Sequence, residues 1–166
     1  MTYRYDLETD ADPPFTDALG TQIVEFAVGY DLDEDKAVLM SVMLVPIGEA
    51  HDLRFRYREQ DLSKDWKVSA PDYSREAVKK YVPKKNRFEV LTQLLRAVLA
   101  LLGAVSPENI TMETFTLNLP EEAGPKYHAI RSVLEADGYR TEQHFRDETT
   151  GKDYWLFKRR AGEYAD

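Results

Sequence analysis

The chain of 166 residues has no cysteine. That excludes a disulfide framework, a thiolate zinc site, an iron–sulfur cluster and a cysteine nucleophile. Long apolar runs are missing as well: the most apolar stretch, Ala37 to Val45, falls far short of the roughly 20 residues that cross a bilayer. Glycine is sparse, and no G-x-S-x-G, G-x-x-x-x-G-K or G-x-G-x-x-G occurs, so nucleophile-elbow and nucleotide-loop mechanisms have no sequence support. The opening Met1-Thr2-Tyr3-Arg4-Tyr5-Asp6 lacks the basic-then-apolar build of a signal peptide. No repeat or Gly/Ser linker divides the chain. These absences predict a soluble cytoplasmic protein without membrane attachment, one domain over residues 1–166 with 1–20 as a loosely ordered arm or edge element.

Positive charge is also short, 22 Lys+Arg against 30 Asp+Glu, for a net charge of −8. Residues 1–51 hold two basic and 11 acidic groups, whereas residues 52–87 hold 11 basic and six acidic ones. Half of all cations therefore lie in one short stretch. A globally acidic chain repels nucleic acid at long range, so any anionic partner must meet that middle third. The acidic first third and basic middle third could complement each other across a homodimer or, more simply, side by side within one sheet.

Alternation of apolar residues predicts strands over Thr21 to Tyr30, Ala37 to Ile47 and Leu53 to Tyr57, with a short fourth strand at Trp66 and Val68. Ser74 to Val82 reads as a short helix closed by Pro83. A long helix over Arg87 to Leu102 carries Phe88, Leu91, Leu94, Leu95, Val98, Leu101 and Leu102 on one stripe, with Asn86 and Glu89 as a capping box and Gly103 as its stop. Ser106-Pro107-Glu108 reads as one further helical turn, and Ile110 to Leu119 as a strand with a phase slip near Thr114. A helix over Pro125 to Asp137 and a hairpin of Tyr139 to Arg146 with Asp153 to Arg159 complete the order. The expected fold is α+β: a mixed, mostly antiparallel sheet of about six to seven strands with two longer helices and one short helix packed on it.

Lys84, Lys85, Asn86 and Arg87 gather cations at the start of the long helix, where the helix dipole and unpaired N–H groups favour an anion. The loop has no glycine to let backbone wrap a phosphate. Arg54, Arg56 and Arg58 share one face of a strand and present a basic row to an acidic protein or polymer, or to cross-strand carboxylates such as Glu25 and Asp65. No aromatic residue interleaves on that face, which argues against nucleic acid recognised by stacking. Tyr154 and Trp155 point to opposite faces of the last strand, so one of them is a candidate partner patch. No metal site is expected. Asp31, Asp33 and Asp35 open like a calcium loop, but Lys36 and Val42 stand where glycine and glutamate are needed. His51, His128 and His144 have no metal-binding spacing. These residues predict a small non-catalytic binding or self-assembling module without a cofactor, whose partner is a second copy, an acidic protein or a small anionic ligand.

In element order, residues 21–160 resemble the second half of the acetyl-CoA-dependent N-acetyltransferase superfamily: strands, a long helix, a strand, a helix ending near Gly138-Tyr139, then two strands. The Asn118 to Tyr139 stretch, with Tyr127 in its helix, is similar to that family's later segment. In the family, the loop before the long helix cradles the cofactor pyrophosphate; by position it falls here at Lys84 to Arg87. The family's R/Q-x-x-G-x-G/A loop is absent. The resemblance implies, as the alternative reading, an acetyltransferase-like protein that binds coenzyme A or acetyl-CoA, with or without activity. No catalytic residue carries over.

Overall fold

The computed structural model describes residues 3–63, 79–114 and 120–162. Three long strands form its centre: β3 (Gln22–Asp31), β4 (Lys36–Ile47) and β5 (Ala50–Asp61). The turn between β3 and β4 is held by Asp31, whose Oδ1 accepts the N–H groups of Asp33 at 3.1 Å and Glu34 at 3.4 Å. The calcium-loop-like run Asp31, Asp33 and Asp35 thus closes a turn with its own backbone. Gly48, with φ +59°, turns β4 into β5.

The antiparallel register places Val24 beside Val42 and Phe55, and Phe26 beside Met40 and Tyr57. One face of the sheet is therefore apolar across all three strands. Helix α1 (Arg87–Val105) lies on it and buries Val90, Leu94, Ala97, Val98, Leu101 and Leu102. Its stripe is rotated from the expected one, for Phe88 is 78% exposed and Leu91 half-buried. Gln93 is buried instead, with Nε2 donating to the Thr9 carbonyl at 3.2 Å. The helix also runs past Gly103, and Ser106 (φ +48°) takes the left-handed stop, its N–H bonded to Leu102 O at 2.8 Å. Ser106 to Glu108 is consequently a connection and not a helical turn.

Among the described residues, α1 is the helix with the length and apolar content to cross a membrane, with a mean hydropathy of 1.7. That content serves its packing on β3 and β4.

The remaining strands are β1 (Tyr3–Tyr5), β2 (Phe15–Thr16), β6 (Asn109–Glu113), β7 (Tyr139–Arg146) and β8 (Asp153–Arg159). The eight-stranded sheet has the order β1-β3-β4-β5-β6-β8-β7, with β2 also paired to β3. All its ladders are antiparallel except β5 with β6. The fold is α+β, as expected. The N-terminal residues form its edge: Glu8 accepts Ala27 N–H through its carboxylate at 2.8 Å and donates its own N–H to Ala27 O at 2.9 Å. Both bonds fall at a bulge in β3 between Ala27 and Gly29. Tyr3 lies so close over Gly29 that a Cβ there would stand 2.3 Å from its hydroxyl oxygen.

The second helix, α2 (Pro120–Ala136), begins at Pro120 and keeps Pro125 inside it, where the sequence suggested a start. Pro120 suits a first helical position, and Pro125 forfeits a single backbone donor. Gly138 (φ +96°) ends the connection into β7. Before Pro83, residues 79–81 are helical and Val82 is a bend; residues 74–78 of the expected Ser74 to Val82 helix, the strand at Trp66 and Val68, and residues 115–119 of the expected longer β6 lie outside the described residues.

Candidate functional site

The parallel junction in the sheet is short. Strands β5 and β6 pair only at His51 with Ile110 and at Asp52 with Thr111. Beyond that point β6 follows β8, pairing through Glu113 with Tyr154, and Thr114 donates its N–H to Asp153 O at 3.0 Å. β5 meanwhile runs on with β4 to Asp61. The two strands therefore diverge as a wedge, and among the described residues no strand pairs with the second edge of β5 past Asp52. Its closed end is pinned by Asp52, which accepts Thr111 Oγ1–H at 2.8 Å and Arg54 Nε–H at 2.6 Å. Openings at the carboxyl ends of parallel strands are common binding places in α/β sheets.

One side of the wedge is floored by aromatic rings. Tyr127 of α2 reaches Phe55 of β5 at 6.3 Å between ring centroids and stacks on Trp155 of β8 at 5.5 Å. It thereby spans the divergence. His144 stacks on the same Trp155 at 4.6 Å. Beside this floor the Lys126 ammonium sits 4.9 Å from the Phe55 ring centre and 4.5 Å from that of Tyr127. Burial pushes its pKa down to about 8.

The open end of the wedge meets the start of α1. Glu59, near the end of β5, accepts a hydrogen bond from the Tyr81 hydroxyl and another from Lys80 at 3.2 Å. The Tyr81 hydrogen bond, ahead of the lysine, holds the Glu59 carboxyl below its usual range. Tyr81 and Tyr57 lie 6.1 Å apart, and Arg87 is near enough to act on the Tyr57 hydroxyl. Burial outweighs that charge and raises the Tyr57 pKa.

Lys84, Lys85 and Asn86 form a 3-10 turn that leads into α1, and Lys84, Lys85 and Arg87 are exposed. Asn86 is helical and does not cap; its Nδ2 donates to Glu89 at 3.0 Å in place of the expected capping box. The same Glu89 oxygen accepts the Tyr5 hydroxyl at 3.1 Å. Together with burial, the larger cause, that bond lifts the Tyr5 pKa to about 12. The one acidic group of the first turn is thus engaged sideways and bonds no cap N–H.

The other sequence candidates lie elsewhere. Arg54, Arg56 and Arg58 are half-buried on the sheet face opposite α1. Arg54 pairs with Asp52, and Arg58 with Glu25, which also accepts Ser41 Oγ–H at 2.7 Å. Arg56 Nε is buried without a hydrogen-bond partner. Asp65, the other suggested partner, is outside the described residues. Trp155 is buried in the aromatic floor, whereas Tyr154 is half-buried and stacks on Phe145, itself 56% exposed, at 5.2 Å. The described residues contain no group of three or more potential metal ligands.

Sequence reasoning missed Asp52, Lys126 and the wedge itself. It also missed a broad hollow of about 1040 Å³ at the other end of the sheet, lined by Arg140, Arg159 and Arg160. There Arg140 is bonded to Glu142 at 2.5 Å and Arg159 to the Tyr139 hydroxyl at 2.9 Å.

No family model and no curated protein matches the chain. Among solved structures, it is similar to the ribosomal-protein-S5-alanine acetyltransferase of Vibrio fischeri, with 13% identity and a TM-score of 0.39 over 87% of this chain. The matched region spans 64% of that protein's length. A likeness at this level assigns neither family nor activity.

Proposed function

We propose that the chain is a binding module for an extended anionic ligand of the acyl-coenzyme A class, seated between β5 and β6, with no catalytic residue assigned. The observation that carries this reading is the two-pair parallel ladder, after which β5 continues with β4 and β6 with β8. A pantetheine-like arm has alternating amide donors and acceptors that suit strand backbone at such a divergence. Its phosphates would reach the open end, where Lys84, Lys85 and Arg87 make no salt bridge among the described residues. With no glycine in that turn, side chains and not close backbone would meet the phosphates.

Coenzyme A should therefore raise the melting temperature of the protein. Ligand at a hundredfold excess over Kd stabilises a fold by about 2.7 kcal/mol. Replacing Lys84 and Lys85 together by glutamate should abolish the rise without lowering the melting temperature of the free protein, because both side chains are exposed. Absence of any shift with millimolar coenzyme A overturns the reading.

A further inference from the structure

We infer that Lys126 is an internal acyl acceptor, taking the acyl group of a thioester carried into the wedge. The inference rests on the reading of the wedge as an acyl-coenzyme A site. Its own basis is the position of the amine. Lys126 leaves the first turns of α2 beside Tyr127, whose ring bridges β5 and β8 across the divergence. Its Nζ lies over the faces of Phe55 and Tyr127, and among the described residues no carboxylate pairs with it.

Two rings attract an ammonium only weakly compared with an ionised partner, so little holds the proton on this nitrogen. Burial works in the same direction. An amine desolvated against apolar groups and lacking a counter-ion is the usual form of a nucleophilic lysine. The residue as a whole is half-buried. By contrast, Lys36 and Lys80 are held as ammonium ions by Glu34 and Glu59.

The step balances without another reactant. The neutral Lys126 amine adds its lone pair to the thioester carbonyl. The tetrahedral adduct expels the thiolate, an amide bond forms as the C–S bond breaks, and the proton lost from nitrogen ends on the thiolate to give free thiol. No oxidant, reductant or metal is required.

The experiment incubates the full chain with acetyl-coenzyme A and, separately, with a short acetyl thioester lacking the nucleotide, and maps acetyl-lysine by peptide mass spectrometry. The expected result is acetylation of Lys126 about tenfold or more above any other lysine. The Lys126→Arg variant should lose that label while keeping the melting-temperature rise with unacylated coenzyme A. Two outcomes overturn the inference: no label on Lys126 from either thioester, or equal labelling of Lys126 and the surface lysines. If the first comes with an intact coenzyme A shift, only the acceptor role falls and the wedge reading stands. Selective labelling by the short thioester without a coenzyme A shift upholds the acceptor and removes the coenzyme reading.

Discussion

Asp52 carries the geometry of the wedge on a single carboxylate. One oxygen accepts Thr111 from β6 and the other accepts Arg54 from its own strand, while its side chain is 13% exposed. Asp52→Ala removes both acceptors and leaves a guanidinium without its partner, at a cost of about 1–3 kcal/mol. Asp52→Asn keeps an acceptor for Thr111 and should recover part of the loss; the urea midpoints of the two variants measure the difference. Equal midpoints for wild type and Asp52→Ala overturn the pinning role. Gly29 is a second residue whose identity is imposed by a neighbour. A methyl group there meets the Arg4 carbonyl and the Tyr3 hydroxyl, both at 2.3 Å. Gly29→Ala should therefore displace β1 from β3 at a cost of about 1–3 kcal/mol. Hydrogen exchange should show the loss locally, with faster amides where Tyr3 to Tyr5 pair with Gly29 to Asp31.

Among the elements, α1 separates what periodicity tells from what it leaves open. Its existence and start were legible, because apolar residues recur at helical spacing from Phe88 to Leu102. The buried side was not, because the helix is apolar on more than one face. Period alone cannot choose between Phe88 with Leu95 and Val90 with Ala97. Tertiary contacts decide: Ala97 is small enough for close approach to the sheet, and Gln93 finds the Thr9 carbonyl. Leu101→Ala, at a position with 0% exposure, should cost about 2–5 kcal/mol. Phe88→Ser should change the unfolding free energy by less than about 0.5 kcal/mol. A large loss from the Phe88 variant would restore the stripe expected from the sequence.

The β7–β8 hairpin was legible to its ends because alternation and a polar turn are local signals. The wedge was not, since it arises where strands far apart in sequence part after two residue pairs. For the same reason Lys126 carried no signal: its aromatic surroundings come from β5 and α2, with β8 behind them.

Across the whole molecule, part of the uneven charge along the chain meets within the sheet. Glu25 of the acidic third meets Arg58 of the basic third, and Lys36 lies 3.7 Å from Glu59. In the alkaline range, pH sensitivity comes from groups whose burial displaces their titration. Lys126 is brought down to about 8, against an ordinary lysine near 10.4. Between those two values the unfolded chain binds a proton that the folded chain lacks, so stability rises with pH.

The tyrosines act in the opposite sense. Burial raises Tyr57 and Tyr3 above their ordinary value and, with the Glu89 bond, brings Tyr5 to about 12. Above pH ~10 the unfolded tyrosines ionise while these folded ones keep their protons, so stability falls. Stability should therefore climb from pH ~8, peak near pH ~10 and decline beyond it. Lys126→Met should raise stability at neutral pH, flatten the climb and leave the decline, because it removes the buried charge and spares the tyrosines. Urea midpoints across that range test both limbs. A wild-type profile that is flat between pH ~8 and ~10 would show that the Lys126 ammonium is solvated, and the amine would lose its distinction from the other lysines.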